Sequence, residues 1–242
     1  MRVYQFRHIR AERQSSHALA SSPVAIDPPA APKRPTVPDE LEETTLGDSA
    51  LTGLRLERVS LRGLAFEERA AADLRIDESL LHGIAFDECE AAGLTLTDVR
   101  IEGGSWANLR AVRGSLTRIE ARELRATGAD FAETELRDAV FEGCRLDLAS
   151  FRFAKLVRVV FRDCRLEEAD FHGATLSSVR LEHCVLAGAN VDGASFAQSE
   201  LRDCELTGLT GAGSLGGLRM PWGDVIQIAG LLAAATGIEV VD

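Results

Sequence analysis

An apolar residue recurs at every fifth position from Leu41 to Leu206 without an insertion or a slip. The pattern is cleanest from Phe131 to Leu206, where Phe131, Leu136, Phe141, Leu146, Phe151, Leu156 and their successors are all Leu, Phe or Val. Five is neither the 3.6 of a helix face nor the 2 of a strand face. All 34 such centres are apolar in a chain that is 45% hydrophobic, so chance alignment does not account for them. A fixed period means stacked repeats that share one continuous core.

A second inward position lies two residues before each centre. It is often large in the first half (Leu54, Val59, Leu64, Leu74, Ile84, Leu94) and mostly small after Ala129. Size is traded within the pair: Leu109 precedes Ala111, Leu124 precedes Ala126, and Gly104 precedes Trp106. Interiors packed at crystal-like density demand such compensation. Two inward and three outward residues per pentad predict a short extended piece followed by a tight turn.

These pentads resemble the pentapeptide-repeat family, whose motif is a small residue, often Asp or Asn, a central Leu or Phe, and two polar residues. Ala129-Asp130-Phe131, Ala169-Asp170-Phe171 and Ala189-Asn190-Val191 carry the likeness, while the large residues before Leu124 depart from it. The resemblance implies an all-β fold, a right-handed quadrilateral parallel β-helix with four pentads per coil. Twenty-residue ladders agree: Cys144, Cys164, Cys184 and Cys204; Phe131, Phe151 and Phe171; Ala129, Ala149, Ala169 and Ala189. At about 4.8 Å per coil, about eight coils make a rod roughly 40 Å long over 41–206.

The flanks read differently. Six of the seven prolines fall between Pro23 and Pro38, which predicts a disordered, solvated segment of partly polyproline character over 1–40. The opening MRVYQFRHIR lacks the apolar core of a secretory signal, so the expected compartment is the cytoplasm, with an organelle transit peptide as the alternative. No apolar run is long enough to span a membrane. After Leu206 a glycine-rich turn leads to a helix expected to begin at an Asp224 cap with Gln227 as its capping-box partner and to end at Gly237. Val225, Ile228, Leu231 and Leu232 form one apolar face, and Ile226 and Ala229 leave little polar surface on the other; one face would cover the last coil and the other meet a second copy, with Val225, Ile226, Ile228, Ala229, Leu231 and Leu232 as the expected dimer residues. The family resemblance implies the same use, so 207–242 is expected to be a capping and dimerisation element, and the protein a homodimer.

For chemistry the sequence offers little. Five cysteines in a chain without a secretory signal argue against a disulfide scaffold. The cysteine ladder stacks along an axis rather than converging on an ion, so it reads as small apolar core and no metal is expected. His8, His17, His82, His172 and His183 have no ligand or nucleophile spacing, and no glycine-rich phosphate motif exists. No cofactor, catalytic residue or enzymatic activity is expected.

Charge is the remaining feature. Of the 27 basic and 38 acidic residues, 1–40 holds six and four, and 207–242 one and three, which leaves 20 and 31 in the repeats. This net negative surface repels nucleic acid and membrane headgroups and favours a basic protein partner. A coil of twenty collects Asp48, Glu67, Glu68, Asp87, Glu88, Asp147, Glu167 and Glu168 into one turn stripe without Lys or Arg, with Glu90 beside it. Arg125, Arg145 and Arg165 are expected to pair with its later acids, leaving Asp48 to Glu90 as the negative part. The stripe reads either as a solvated face or as a binding surface. The reading is a non-enzymatic interaction scaffold. As an alternative, the resemblance implies a mimic of duplex DNA that binds DNA gyrase or another type II topoisomerase and lowers quinolone sensitivity.

Overall fold

The computed structural model describes residues 27–44, 46 and 50–241. Burying one apolar centre per pentad makes the chain turn inward every five residues, and it winds into a parallel β-solenoid of about nine turns. Strands Arg75–His82, Thr95–Glu102, Ser115–Arg122, Glu135–Glu142 and Lys155–Arg162 stack in parallel. Each is shifted from the last by twenty residues, as in Leu96 on Leu116 and Phe141 on Phe161. Single bridges on the other two faces, such as Ala85 with Ser105 and Asp130 with Ser150, keep the same register.

The core runs along the axis. Every centre from Leu51 to Leu206 is buried except Phe196, which is half-buried. The phenylalanine ladder stacks ring on ring, with Phe131 5.5 Å from Phe151 and Phe151 4.9 Å from Phe171. A second ladder, Phe66, Phe86 and Trp106, fills the early coils at 5.3 and 5.9 Å.

The corners follow an equally strict rule. Every fifth residue from Gly53 to Gly208, two after each centre, has a φ between 48° and 74°, and among the described residues all 21 non-glycine residues with positive φ fall in this register. A side chain branched at Cβ is the one most penalised there. Accordingly no Val, Ile or Thr occupies a corner in this span, although Asp, Glu, Arg and Gly are frequent.

Two boundaries differ from the sequence expectation. The solenoid runs about one turn longer than eight coils, because strand Leu218–Arg219 pairs onto its carboxyl end, while at the amino end Glu42–Glu43 pairs with Val59–Ser60 at a step of seventeen instead of the expected twenty. Leu218 pairs with Ser199 after a step of nineteen, so losing the five-residue register did not end the coil. Leu209, Ala212 and Leu215 bury themselves in place of the missing centres.

The second difference is at the amino end. Residues 27–40, expected as solvated linker, lie along the rod: Arg180 Nη2 donates to the Pro29 carbonyl, and the Lys33 and Thr36 amides donate to Asp138 and Asp98. Pro29 and Pro35 are buried. Residues 1–26 lie outside the described residues.

Candidate interaction surfaces

The acidic stripe is brought together by the coil, with the exception of Asp48, which lies outside the described residues. The Glu68 amide donates to the Asp87 carbonyl and the Glu88 amide to that of Ala107, so these turns stand one above the other. Their side chains do not all face outward alike. Asp87 Oδ1 accepts the Ser105 hydroxyl and the Ala107 N–H, at 2.8 Å for the latter, and so secures the next turn. Glu90 pairs with Arg110 at 3.4 Å. Glu67, Glu68 and Glu88 are exposed and take part in no described ion pair. Arg69 borders them, its guanidinium 5.7 Å from the Phe66 ring centre.

The later part of the stripe is neutralised. Arg165 bridges Asp147 at 3.4 Å and Glu167 at 2.9 Å, as expected, whereas Arg125 and Arg145 stack in register without a described ion pair. Ala107, Asn108, Thr127 and Gly128 separate this part from the early acids, and Leu148 stands exposed within it. Glu168 remains exposed at the corner beyond.

The pentad geometry agrees with what family models recognise. A pentapeptide repeat region model matches residues 123–191, and a model of pentapeptide repeats in eight copies matches 180–210. Residues 123–210 are recognised as pentapeptide repeats. This matched part is the half in which the second inward residue is small, and the earlier coils continue the same register with larger residues there.

Trypsin-treated QnrB1, described as a plasmid-mediated fluoroquinolone resistance protein, is similar at 20% identity and a TM-score of 0.42 over 79% of this chain and 92% of that one. HetL from the cyanobacterium Nostoc, involved in heterocyst differentiation regulation, is similar at 16% identity and a TM-score of 0.29 over 69% and 87%. A search among curated proteins found no match.

In this rod the small inward position also closes hydrogen bonds. Thr134 Oγ1 accepts the Gly114 N–H at 3.1 Å and donates to the Ala111 carbonyl at 2.9 Å. Ser199 does the same with Val179 and Leu176. The cysteines follow this pattern, Cys164 Sγ lying 3.4 Å from the Phe141 carbonyl and Cys204 Sγ 3.4 Å from that of Leu181. Hydrogen bonding to the Cys164 sulfur, together with burial, pushes the Cys144 and Cys184 thiols up, so they sit as neutral donors. Among the described residues no group of His, Cys, Asp or Glu is placed to hold a metal ion. His82 meets Glu102 at 3.3 Å and His172 meets Asp192 at 3.5 Å, both on the surface.

The carboxyl end departs from the sequence reading. Two short helices, α1 (Trp222–Gln227) and α2 (Ala229–Ala235), replace one, with a break at Ile228. Pro221, not Asp224, is the N-cap of α1. Asp224 and Gln227 serve the open edge of the last coil instead: Asp224 Oδ2 accepts the Asp203 N–H at 2.8 Å, and Gln227 donates to the Cys204 carbonyl at 3.1 Å. Gly237 does end α2, at φ 79°, with the Ile238 N–H reaching the Ala233 carbonyl. Of the residues expected at a dimer contact, Ile228 is buried against the rod and Val225 and Leu232 are half-buried, while Ile226, Ala229 and Leu231 are exposed. Trp222 joins them at 75% exposure, a residue the helical pattern did not single out. No helix among the described residues is long and apolar enough to cross a membrane.

Proposed function

We propose that the protein is a non-enzymatic interaction scaffold whose early coils present Glu67, Glu68 and Glu88 to a basic protein partner. One observation carries this reading. On another face the outward charges alternate in sign along the rod, as in Glu102, Arg122, Glu142, Arg162, Glu182 and Arg202, with Arg122 3.3 Å from Glu142 and Arg162 3.0 Å from Glu182, and the stacked Arg125, Arg145 and Arg165 lie beside the acids of the later stripe, whereas no described ion pair reaches Glu67, Glu68 or Glu88. Like charges stacked on neighbouring strands cost stability. The early stripe keeps that cost, which an alternating column would relieve.

The reading is tested by capturing partners from cell extract with the wild type and with a Glu67→Lys, Glu68→Lys, Glu88→Lys variant. Asp87 is left in place because it secures the Ala107 turn. Equal recovery of the same basic proteins would reduce the stripe to a solvated face. The narrower form, in which the acidic rod takes the place of duplex DNA on a type II topoisomerase, is decided by a gyrase supercoiling assay: inhibition that the charge-reversal variant loses supports it, and no effect removes it.

The scaffold is proposed to act as a homodimer through Trp222, Ile226, Ala229 and Leu231, which leave apolar surface uncovered beyond the capped coil. Sedimentation equilibrium decides this, a monomer at micromolar concentration being the result against it.

A further inference from the structure

Pro29, Pro32, Pro35 and Pro38 recur at every third residue. Polyproline II has three residues per turn, so these prolines share one side of such a segment. That side is turned to the rod, with Pro29 and Pro35 buried and Pro32 and Pro38 half-buried. The residue after each inner proline supplies an N–H. Lys33 donates to Asp138 Oδ1 at 3.0 Å, and Thr36, three residues later, to Asp98 Oδ1 at 2.9 Å.

The spacing of the two acceptors matches the spacing of the donors. One polyproline turn advances about 9.3 Å, and two solenoid coils advance about 9.6 Å. Asp98 and Asp138 are two coils apart in the twenty-residue register. Each is held by a forked arginine from the next coil: Arg118 reaches Asp98 at 2.7 and 2.6 Å, and Arg158 reaches Asp138 at 2.6 and 2.7 Å. The carboxylates are thus fixed before the arm arrives, and both are buried beneath it. Beside them the outward residues turn apolar, and Val140 and Val160 lie with Pro32 and Pro35 along a groove whose acids are paired within the rod, Arg122 meeting Glu120 at 2.6 Å and Glu142 at 3.3 Å. Arg180 closes the far end on the Pro29 carbonyl at 2.9 Å.

We infer that this corner of the rod is a receptor groove for polyproline II peptides with proline at every third residue. Its occupant in this structure is the chain's own arm, and a proline-rich segment of a separate partner protein docks by displacing that arm. The groove recognises such a segment by two features: amide donors spaced to two coils, and proline rings against Val140 and Val160. A tethered arm competes at an effective concentration of about millimolar, so the arm acts as the gate on the groove. The surface is distinct from the acidic stripe and does not depend on its role.

The test uses the full chain and a fluorescent peptide copying residues 27–40, read by anisotropy. A Pro32→Gly, Pro35→Gly variant, checked by circular dichroism for an intact solenoid, loosens the arm. It is expected to bind the peptide at least about tenfold more tightly than the wild type does. A peptide of the same composition with its prolines regrouped is expected to bind at least about tenfold more weakly, and so is one N-methylated at the amides matching Lys33 and Thr36, which leaves the protein untouched. No binding to the loosened variant up to about 1 mM, or equal binding of the regrouped peptide, overturns the inference. Dimerisation of the wild type that added peptide dissolves would place the arm on a second copy and overturn the assignment to a separate protein.

Discussion

Asp224 of α1 accepts the backbone N–H of Asp203, 21 residues earlier in the chain, at 2.8 Å. The last coil has no strand above this stretch, and Asp224 with Gln227 fills the open hydrogen-bond positions at Asp203, Cys204 and Leu206. Exposed strand edges invite pairing with other chains, so these two side chains close the rod as well as stabilise it.

Asp224→Ala leaves the Asp203 amide without its partner and is expected to cost about 1–3 kcal/mol in denaturant unfolding. Burial raises the Asp224 carboxyl above the usual carboxylate range. A raised carboxyl favours the fold at low pH and loses that contribution as pH rises through its folded value. Asp224→Asn, which keeps an acceptor and cannot ionise, is therefore expected to stay within about 1 kcal/mol of the wild type at pH 7 and to lose the wild type's dependence just above pH 4. Stability curves of both variants across pH check this.

The arm is expected to release in acid. Hydrogen bonds from Arg118 and Arg158 hold the Asp98 and Asp138 carboxyls below their ordinary range, with the Thr36 and Lys33 amides acting in the same direction and burial opposing. For a depressed carboxyl, stabilisation is present above the unfolded value and is lost as pH falls through the folded one. The Lys33 and Thr36 amide resonances should therefore hold steady down to about pH 4 and shift together below it. A shift centred near neutrality would contradict the assignment.

Gly104 is required by the backbone as well as by the bulk of Trp106. Its φ is 93°, and a Cβ there would stand 2.3 Å from the Ile84 carbonyl oxygen and 2.9 Å from the Ile84 nitrogen. Neither atom belongs to a side chain that can swing away. Gly104→Ala is expected to lose about 2–3 kcal/mol, measured by urea unfolding, whereas an alanine at the open Gly103 corner, with nothing within 4 Å, is expected to lose only about 1 kcal/mol to its positive φ.

Trp106 is buried at 1% exposure and its indole N–H has no partner. Trp106→Phe continues the Phe66 and Phe86 ladder and removes that donor, which offsets the lost volume, so the change is expected to stay within about 1 kcal/mol. It also leaves Trp222 as the single tryptophan. Its emission should then move to shorter wavelength with rising concentration if the proposed dimer forms, and stay fixed in a monomer.

Legibility followed the physics of burial. A centre such as Phe151 must be apolar because neighbouring coils enclose it, so each pentad carries its own record of the core. The stripe was legible for the same reason, since twenty residues per coil places Glu68 beside Glu88. What each acid does was not: Asp87 turned out to secure a turn and Glu90 to pair with Arg110, because outward rotamers are chosen by neighbours twenty residues away. The apolar outward pair Val140 and Val160, and the aspartates forty residues apart, were signals of a covered corner that a core-centred reading passes over.

By itself the sequence determined the coil, its length, the inner ladders and the glycine at the close of α2. All depend on local spacing and on which side chains the core accepts. Only the tertiary structure decided the path of the arm, the break at Ile228 and the use of Asp224. A polyproline segment makes no hydrogen bonds of its own, so its three-residue period describes a shape and leaves open whether that shape is solvated or docked. An aspartate followed three residues later by glutamine fits a helix cap equally well until the open edge of a ninth turn stands beside it.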